Sequence, residues 1–176
     1  MTTKNKSTLP GGVALDLERR LSYRFSILST KVIRCVAEMY GPKYGLLPSG
    51  WKAMAAIGRF GPVSGKEVCA HTTVEPDKVT RAVDRLVQLG YVERKQDVAD
   101  GRRVALSLTF LGRKVYADIE GLTRRVELDL QKGVSKQERD TLSRILCKLE
   151  GRATEGHIGD RNAWRRIAPA RSARRR

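Results

Sequence analysis

The sequence predicts a mainly α-helical fold, in which a winged helix-turn-helix lies between long N- and C-terminal dimerisation helices and a small β-hairpin forms the wing. Three observations lead to this prediction. Two short helices joined by a tight turn occupy residues 64–89, and a basic two-stranded hairpin follows at residues 91–108. Long apolar repeats with helical spacing lie on both sides of this segment.

Five segments follow from these patterns. They are a flexible N-terminal arm (1–12), a dimerisation helix (13–45), the winged helix-turn-helix (46–110), further dimerisation helices (111–150) and a basic C-terminal tail (151–176). The first long helix repeats apolar side chains at three- and four-residue steps: Leu17, Leu21, Phe25, Leu28, Val32, Cys35 or Val36, and Met39. We expect Gly41 and Pro42 to end it, because proline lacks the backbone N–H that a helix needs.

Capping signals bound both short helices of the motif. Ser64 and Glu67 have the spacing of a reciprocal capping box, so the first helix begins at Ser64. Pro76 suits the first position of the second helix, and Gly90 ends that helix. One apolar stripe runs along the second helix: Val79, Ala82, Val83, Leu86 and Val87. The polar residues therefore face outward: Asp77, Lys78, Arg81, Asp84, Arg85 and Gln88, with Thr80 on the border.

The outward face of the second helix has side chains that can read the major groove of duplex DNA. Arginine pairs with guanine through two hydrogen bonds, and lysine and threonine bind phosphates or base edges. The predicted DNA-binding residues of the two helices are Ser64, Lys78, Thr80, Arg81 and Arg85. Asp84 is expected instead to orient a neighbouring arginine at the base of the wing. The alternative is an ordinary solvated helix face.

The hairpin opens with a strand at residues 91–93. In its second strand, Val104, Leu106 and Leu108 alternate with the residues between them. The turn between the strands is rich in aspartate and glycine and ends in Arg102 and Arg103. A guanidinium group at this point can enter the minor groove, where the negative potential is focused. The alternative is a charged surface hairpin.

Two more helices follow the hairpin. The first has a helical apolar repeat: Leu111, Val115, Ile119, Leu122, Val126 and Leu130. Ser135 and Glu138 form a second capping box, and the helix after it is expected to turn Leu142, Ile145, Leu146 and Leu149 inward. One small domain cannot cover so many apolar faces, which predicts a two-fold homodimer on a palindromic DNA site. The alternative is a self-contained monomeric bundle.

The composition points to a polyanionic partner. The 176 residues contain 35 lysines and arginines against 19 aspartates and glutamates, and the net charge of +16 favours nucleic acid. The arginine-rich tail either adds sequence-independent attraction to phosphate or serves only solubility. No apolar run reaches membrane-spanning length, so we expect a cytoplasmic protein without a membrane partner.

No catalytic site is predicted. The two histidines, His71 and His157, have no companion in the sequence that would form a catalytic arrangement. The three cysteines, Cys35, Cys69 and Cys147, lie in apolar helical stretches at spacings that fit neither a disulfide framework nor zinc. We therefore expect a protein that is not an enzyme and that uses no cofactor and no metal.

The segment from Leu47 to Val115 resembles the MarR family of bacterial transcriptional regulators. The resemblance rests on LPSGWKAMAAI, VTRAVDRL, GYVER, DGRR and LTFLGRK, in that order. It implies a homodimeric winged-helix repressor that binds a palindromic operator and is released by a small molecule. The competing interpretation is an architectural protein that coats DNA without regulating one promoter.

The resemblance also implies an effector cleft between the dimerisation helices and the winged domain. The sequence offers five residues there: Arg20, Tyr23, Arg24, Trp51 and Met54. An aromatic wall beside a guanidinium group suits an aromatic acid or its coenzyme A thioester, because the ring stacks while the acid pairs. Ordinary packing is the alternative for Tyr23 and Trp51. A different sensor mechanism is redox sensing through Cys35, which has Arg34 and Lys31 nearby in the sequence.

Overall fold

The computed structural model describes residues 16–72, 74–96 and 104–153. Six helices and two strands follow one another in these ranges: α1 (Leu21–Tyr44), α2 (Pro48–Phe60), α3 (Gly65–Thr72), α4 (Pro76–Gln88), β1 (Val92–Gln96), β2 (Val104–Leu108), α5 (Phe110–Leu130) and α6 (Lys136–Arg152). The chain divides into two compact units, residues 1–130 and 131–176. The predicted arm, the tip of the wing with Arg102 and Arg103, and all but the start of the predicted tail lie outside the described residues.

The first long helix begins later than its apolar repeat predicts and continues past the predicted stop at Gly41 and Pro42. Residues 17–19 form a separate 3-10 turn, and α1 begins at Leu21. At its other end α1 continues through Pro42 to Tyr44. The helix ends where Gly45 adopts a left-handed conformation, with φ +65°, and its N–H donates to the carbonyl of Gly41 at 2.9 Å. Pro42 removes one hydrogen bond from the last turn of α1 but does not end the helix, because the helix is ended by Gly45, three residues later.

The local signals of the winged part are confirmed. The N–H of Ser64 donates to the carboxylate of Glu67 at 2.7 Å, and the N–H of Glu67 donates to the Ser64 hydroxyl at 3.3 Å. Pro76 is the first residue of α4. After α4, Gly90 has φ +70°, and the N–H of Tyr91 donates back to the carbonyl of Leu86 at 2.9 Å. These bonds satisfy end groups that a helix cannot pair internally.

The hairpin and the helices before it share one core. β1 and β2 pair antiparallel, with Val92 opposite Leu108. The alternation predicted for the second strand turns Leu106 and Leu108 into the core, while Val104 at the strand's outer end is 50% exposed. The centre of the core contains fully buried side chains from three helices: Met54, Val68 and Leu86. The winged part therefore has an interior of its own that fixes the outer face of α4.

Helix α5 is tied to both α1 and the hairpin. Of its predicted apolar repeat, Val115 and Ile119 turn into the core, whereas Leu111 and Leu130 are exposed. Gly112 lies against the backbone of Tyr91, and a methyl group added at Gly112 would overlap the Tyr91 carbonyl oxygen. The Tyr44 hydroxyl donates to the carboxylate of Asp118 across the contact between α1 and α5. The start of α5 therefore packs so closely against Tyr91 that position 112 has no space for a side chain.

Several apolar side chains lie on the surface of the single chain. On α1, Leu21, Phe25 and Leu28 are 57%, 41% and 49% exposed, while Val36 is buried. On α6, Leu142, Ile145 and Leu149 are exposed and Leu146 is half-buried in the single chain, so their inward placement stays a prediction for the dimer. The described part of the second unit is little more than one helix, which has no second layer to cover its apolar stripe. In the described ranges, no helix has both the length and the apolar character to cross a membrane.

Candidate nucleic-acid interface

Helix α4 presents a charged outer face on a buried base. Its inner side consists of four buried residues: Val79, Ala82, Val83 and Leu86. At about 100° per residue, Asp77, Arg81, Asp84 and Gln88 point most directly away from that side. Lys78 and Arg85 lie on one flank of the outer face, and Thr80 lies on the other. Each of these residues is exposed except Asp84, which is half-buried.

The flank with Lys78, Arg81 and Arg85 faces the start of α2, and we call these three residues the basic flank. They line a cavity of about 350 Å³ together with residues of the α1–α2 turn and of the first turn of α2: Gly45, Leu46, Leu47, Ser49 and Gly50. A methyl group placed on Gly45 would lie 3.6 Å from a terminal nitrogen of Arg85. The guanidinium group of Arg85 therefore lies beside the α1–α2 turn.

The opposite flank of α4 is occupied by internal contacts. The Thr80 hydroxyl donates to the carbonyl of Pro76 at 3.0 Å. The carboxylate of Asp84 pairs with the guanidinium group of Arg94 on β1, which confirms the prediction that Asp84 orients an arginine at the base of the wing. Sequence reasoning did not identify which arginine this is. The pairing depends on β1 lying next to α4, and no local pattern gives that neighbour.

Of the remaining predicted DNA contacts, Ser64 lies in the described part of the chain, and Arg102 and Arg103 do not. The Ser64 hydroxyl is already engaged in the capping box, since it accepts from the N–H of Glu67 and donates to the Glu67 carboxylate at 2.6 Å. Its position at the start of α3 is as predicted, and its contact with DNA stays a prediction. Arg102 and Arg103 lie outside the described residues, so the minor-groove contact also stays a prediction.

The five predicted effector residues lie in different surroundings. Met54 is completely buried in the core, and Trp51 is half-buried between the rings of Tyr40 and Tyr116, at centroid distances of 6.2 and 5.7 Å. Arg20, Tyr23 and Arg24 are exposed at the start of α1. A cavity of about 360 Å³ beside Trp51 is lined by residues of α2 and α3 and contains none of the other four. The packing interpretation of Trp51 accounts for its aromatic contacts.

An aromatic pair in that cavity was not predicted. The rings of Phe60 and His71 stack at a centroid distance of 3.9 Å and an angle of 10°, and Phe60 is 48% exposed. The two residues belong to different helices, so their sequence spacing gives no signal of the contact.

The three cysteines differ in their exposure. The apolar repeat of α1 allowed either Cys35 or Val36 at one buried position. Val36 occupies it, and Cys35 lies on the exposed side of the helix. All three cysteines lie in helices, as predicted; Cys35 and Cys147 are exposed and Cys69 is half-buried. In the described part of the chain, no cluster of three or more histidine, cysteine or carboxylate side chains could hold a metal ion.

Comparison with known proteins identifies relatives of this fold. A family model described as the MarR family matches residues 44–103, which include α2, α3, α4 and β1. The uncharacterised HTH-type transcriptional regulator YwoH of Bacillus subtilis is 26% identical over 129 residues, covering 73% of this chain and 93% of that protein.

Solved structures give the same fold. A MarR-family transcriptional regulator from Silicibacter pomeroyi matches 82% of this chain and 97% of its own, with a TM-score of 0.71 at 22% identity. BpsR of Bordetella bronchiseptica, whose DNA binding is regulated by 6-hydroxynicotinic acid, matches 76% of this chain and 94% of its own, with a TM-score of 0.66 at 17% identity. Residues 44–103 therefore match the MarR family of transcriptional regulators, and the helix order and the two-stranded wing give the chain the winged-helix fold of these solved structures.

Proposed function

We propose that the protein is a homodimeric, sequence-specific repressor that a small ligand releases from a palindromic operator. The observation that supports this most directly is the outer face of α4, where Lys78, Arg81 and Arg85 are exposed on a helix whose other side is buried. A helix held in this way inserts a fixed set of side chains into a major groove. Lys78, Thr80, Arg81 and Arg85 are the proposed major-groove residues, with Ser64, Arg102 and Arg103 on the backbone and in the minor groove.

The dimer is supported by apolar surface that a single chain leaves uncovered. Leu21, Phe25 and Leu28 on α1 and Ile145 on α6 are between 41% and 57% exposed. Exposed apolar stripes of this kind mark surfaces that associate. A two-fold pair presents two recognition helices to successive turns of one duplex face. In this proposal the protein is not an enzyme and works in the cytoplasm.

The proposed ligand is an aromatic acid or its coenzyme A thioester. BpsR, a structural relative, is regulated by an aromatic acid, which supports this class of effector without fixing its site here. A gel-shift assay on the DNA flanking the protein's own gene, repeated with aromatic acids, their coenzyme A thioesters and an oxidant, tests the proposal. Release by an acid or thioester supports it, whereas release by the oxidant alone favours redox sensing through the exposed thiol of Cys35.

The substitution Arg81→Ala tests sequence reading. Arg81 points directly outward from α4, so its loss is expected to cost about 1–3 kcal/mol on the operator and to relax one base preference. Lys52→Ala, which removes an exposed cation from α2, is the control. Both variants are measured by fluorescence anisotropy on operator and random duplexes at one salt concentration. Equal losses on the two duplexes for Arg81→Ala would instead favour an architectural protein.

A further inference from the structure

A groove between α1 and α5 takes no part in the proposed DNA or effector contacts. It encloses a cavity of about 360 Å³, which is within the size range of small-molecule sites. None of the five predicted effector residues, all of which the structure describes, lines it. We call it the α1–α5 groove and define it by three residues from each helix: Met39, Lys43, Tyr44, Asp118, Leu122 and Arg125.

The α1–α5 groove lies on the opposite side of α5 from the packed aromatic rings. Tyr116, whose ring contacts Trp51, is two residues from Asp118, so the two side chains point about 200° apart around the helix. A ligand in the groove is therefore separated by α5 from a ligand beside Trp51. The groove is thus a different site from the effector cleft that the sequence predicts.

The charges of the groove leave one cation in excess. Lys43 Nζ lies 3.5 Å from a carboxylate oxygen of Asp118, and the Tyr44 hydroxyl donates to the same oxygen. The carboxylate of Asp118 is therefore already engaged, whereas Arg125 adds a second cation to the lining. Among the described residues of the groove there is no second carboxylate. An excess cation beside a concave surface favours an anion.

Arg125 is exposed, and its guanidinium group lies over the groove. A methyl group placed on Gly121, one turn earlier in α5, would lie 3.9 Å from a terminal nitrogen of Arg125. Within the described ranges, no hydrogen bond or ion pair engages this guanidinium group. Its planar donors match the two oxygens of a carboxylate. Lys43, whose side chain is 66% exposed in a long ion pair, can contact the same anion.

The rest of the groove offers aliphatic surface. Met39 is 40% exposed, and Leu122 is half-buried. The ring of Tyr44 packs against the core and has Lys43 Nζ at 4.8 Å from its centroid, so it offers little free face to a ligand ring. A flexible chain can pack on the thioether and the leucine side chain without such a face. The lining therefore suits an aliphatic body better than an aromatic one.

We propose that the α1–α5 groove binds a small aliphatic carboxylic acid in its ionised form. The carboxylate lies between Lys43 and Arg125. The chain of the acid packs on Met39 and Leu122. This inference goes beyond the proposed function, because both the site and the ligand class differ from those of the proposed aromatic effector.

Methyl-labelled methionine in the full chain gives a direct test by NMR. Met39 lines the groove, while Met54, on the same helix as Trp51, is completely buried. Sodium hexanoate is expected to shift the Met39 signal saturably and to leave Met54 unchanged. Uncharged hexanamide should bind at least about tenfold more weakly.

Three results of this titration would contradict the proposal. A shift of Met54 without a shift of Met39 would place the ligand elsewhere. A Met39 signal that does not respond to up to about 20 mM hexanoate would remove the site. Benzoate that binds at Met39 as tightly as hexanoate does would overturn the aliphatic class.

Two substitutions on α5 should change the affinity in opposite directions. Arg125→Ala is expected to raise the Kd of hexanoate at least about threefold, while Arg124→Ala, at an exposed position outside the groove, should leave it unchanged. Asp118→Asn removes the competing carboxylate and frees Lys43, so it should lower this Kd by about threefold. A folding defect would not increase affinity. An unchanged or raised Kd for Asp118→Asn therefore overturns the proposal.

A second copy of the chain is the competing occupant of the groove. In that case the Met39 signal shifts on dilution, does not respond to hexanoate, and Arg125→Ala raises the dimer dissociation constant. This result would assign the groove to an interface and overturn the acid site. The titration contains no DNA, so a wild type without operator preference would contradict the repressor proposal and leave this one standing.

Discussion

Asp84 and Arg94 are each about half exposed, and their ion pair joins the outer face of α4 to the first strand of the wing. Pairs with this much solvent contact add little to folding stability. The contact instead places an arginine at a fixed position beside α4 and neutralises a carboxylate that would face DNA in the proposed complex. We therefore expect the pair to affect DNA selectivity more than folding stability.

Asp84→Asn is expected to change the free energy of unfolding by less than about 1 kcal/mol. It removes one negative charge from the DNA face and releases Arg94 from its partner, so affinity for random DNA should rise and the operator-to-random ratio should fall. Anisotropy titrations at fixed salt measure that ratio. Adding Arg94→Ala should cause no further loss of the ratio if the two residues act as a pair. A ratio that stays at the wild-type value would contradict the positioning role.

Asp118 on α5 is a carboxylate whose contact reaches another helix, since it accepts a hydrogen bond from Tyr44 on α1. The hydrogen bond from Tyr44, and after it the charge of Lys43, lower the pKa of Asp118 below its usual value. A lowered folded-state pKa contributes stability above the unfolded-state pKa, and that contribution is lost as the pH falls through the folded-state value.

Asp118→Asn is therefore expected to lower Tm at neutral pH, and the difference from the wild type should shrink below about pH 4. Tm measured from pH 7 to pH 3 gives the comparison, with Tyr44→Phe expected to behave in the same direction. Asp140→Asn, at an exposed position on α6, is the control. A difference that stays constant over this pH range would show that the Tyr44 contact does not shift the titration.

At the scale of the element, prediction succeeded where the deciding residues are neighbours in sequence. The two capping boxes, the proline at the start of α4 and the glycine after it each act within about five residues. The predicted end of α1 was wrong because Pro42 and Gly45 are both possible stop signals. The helix ends at Gly45, whose N–H donates to the carbonyl of Gly41, whereas Pro42 has no N–H to donate.

The effector residues show why the site was harder to predict than the helices. An apolar stripe tells which face of a helix is buried but not how deeply. Met54 and Trp51 lie on the same helix, yet only Met54 is completely buried. Arg94 as the partner of Asp84, and Phe60 as the partner of His71, depend on tertiary neighbours. The sequence alone contains no local signal for such pairs.

At the scale of the whole molecule, association and charge act against each other. A net charge of +16 repels a second copy, so burial of apolar surface must exceed that repulsion for a dimer to form. A duplex bound across both copies would neutralise much of the same charge. The proposed dimer should therefore be tighter at higher salt, while DNA binding should be weaker.

Ile145→Glu tests the apolar surface of α6. Ile145 is 49% exposed in the single chain, and if a partner covers it, a buried glutamate should raise the dimer dissociation constant at least about tenfold. Ser143→Glu adds the same charge at a polar, exposed position of the same helix and is the matched control. Sedimentation equilibrium measures both. The same dissociation constant for the two variants would remove α6 from the interface.

The close approach of Gly112 to Tyr91 has a mechanical consequence. Because a methyl group does not fit between the two backbones, the start of α5 and the base of the hairpin are expected to move as one rigid body. A tilt of α5 would swing the wing and the recognition helix beside it through the same angle. In the proposed dimer, the distance between the two α4 helices then depends on the tilt of α5. Small rotations of α5 would therefore change that distance by ångströms at the DNA.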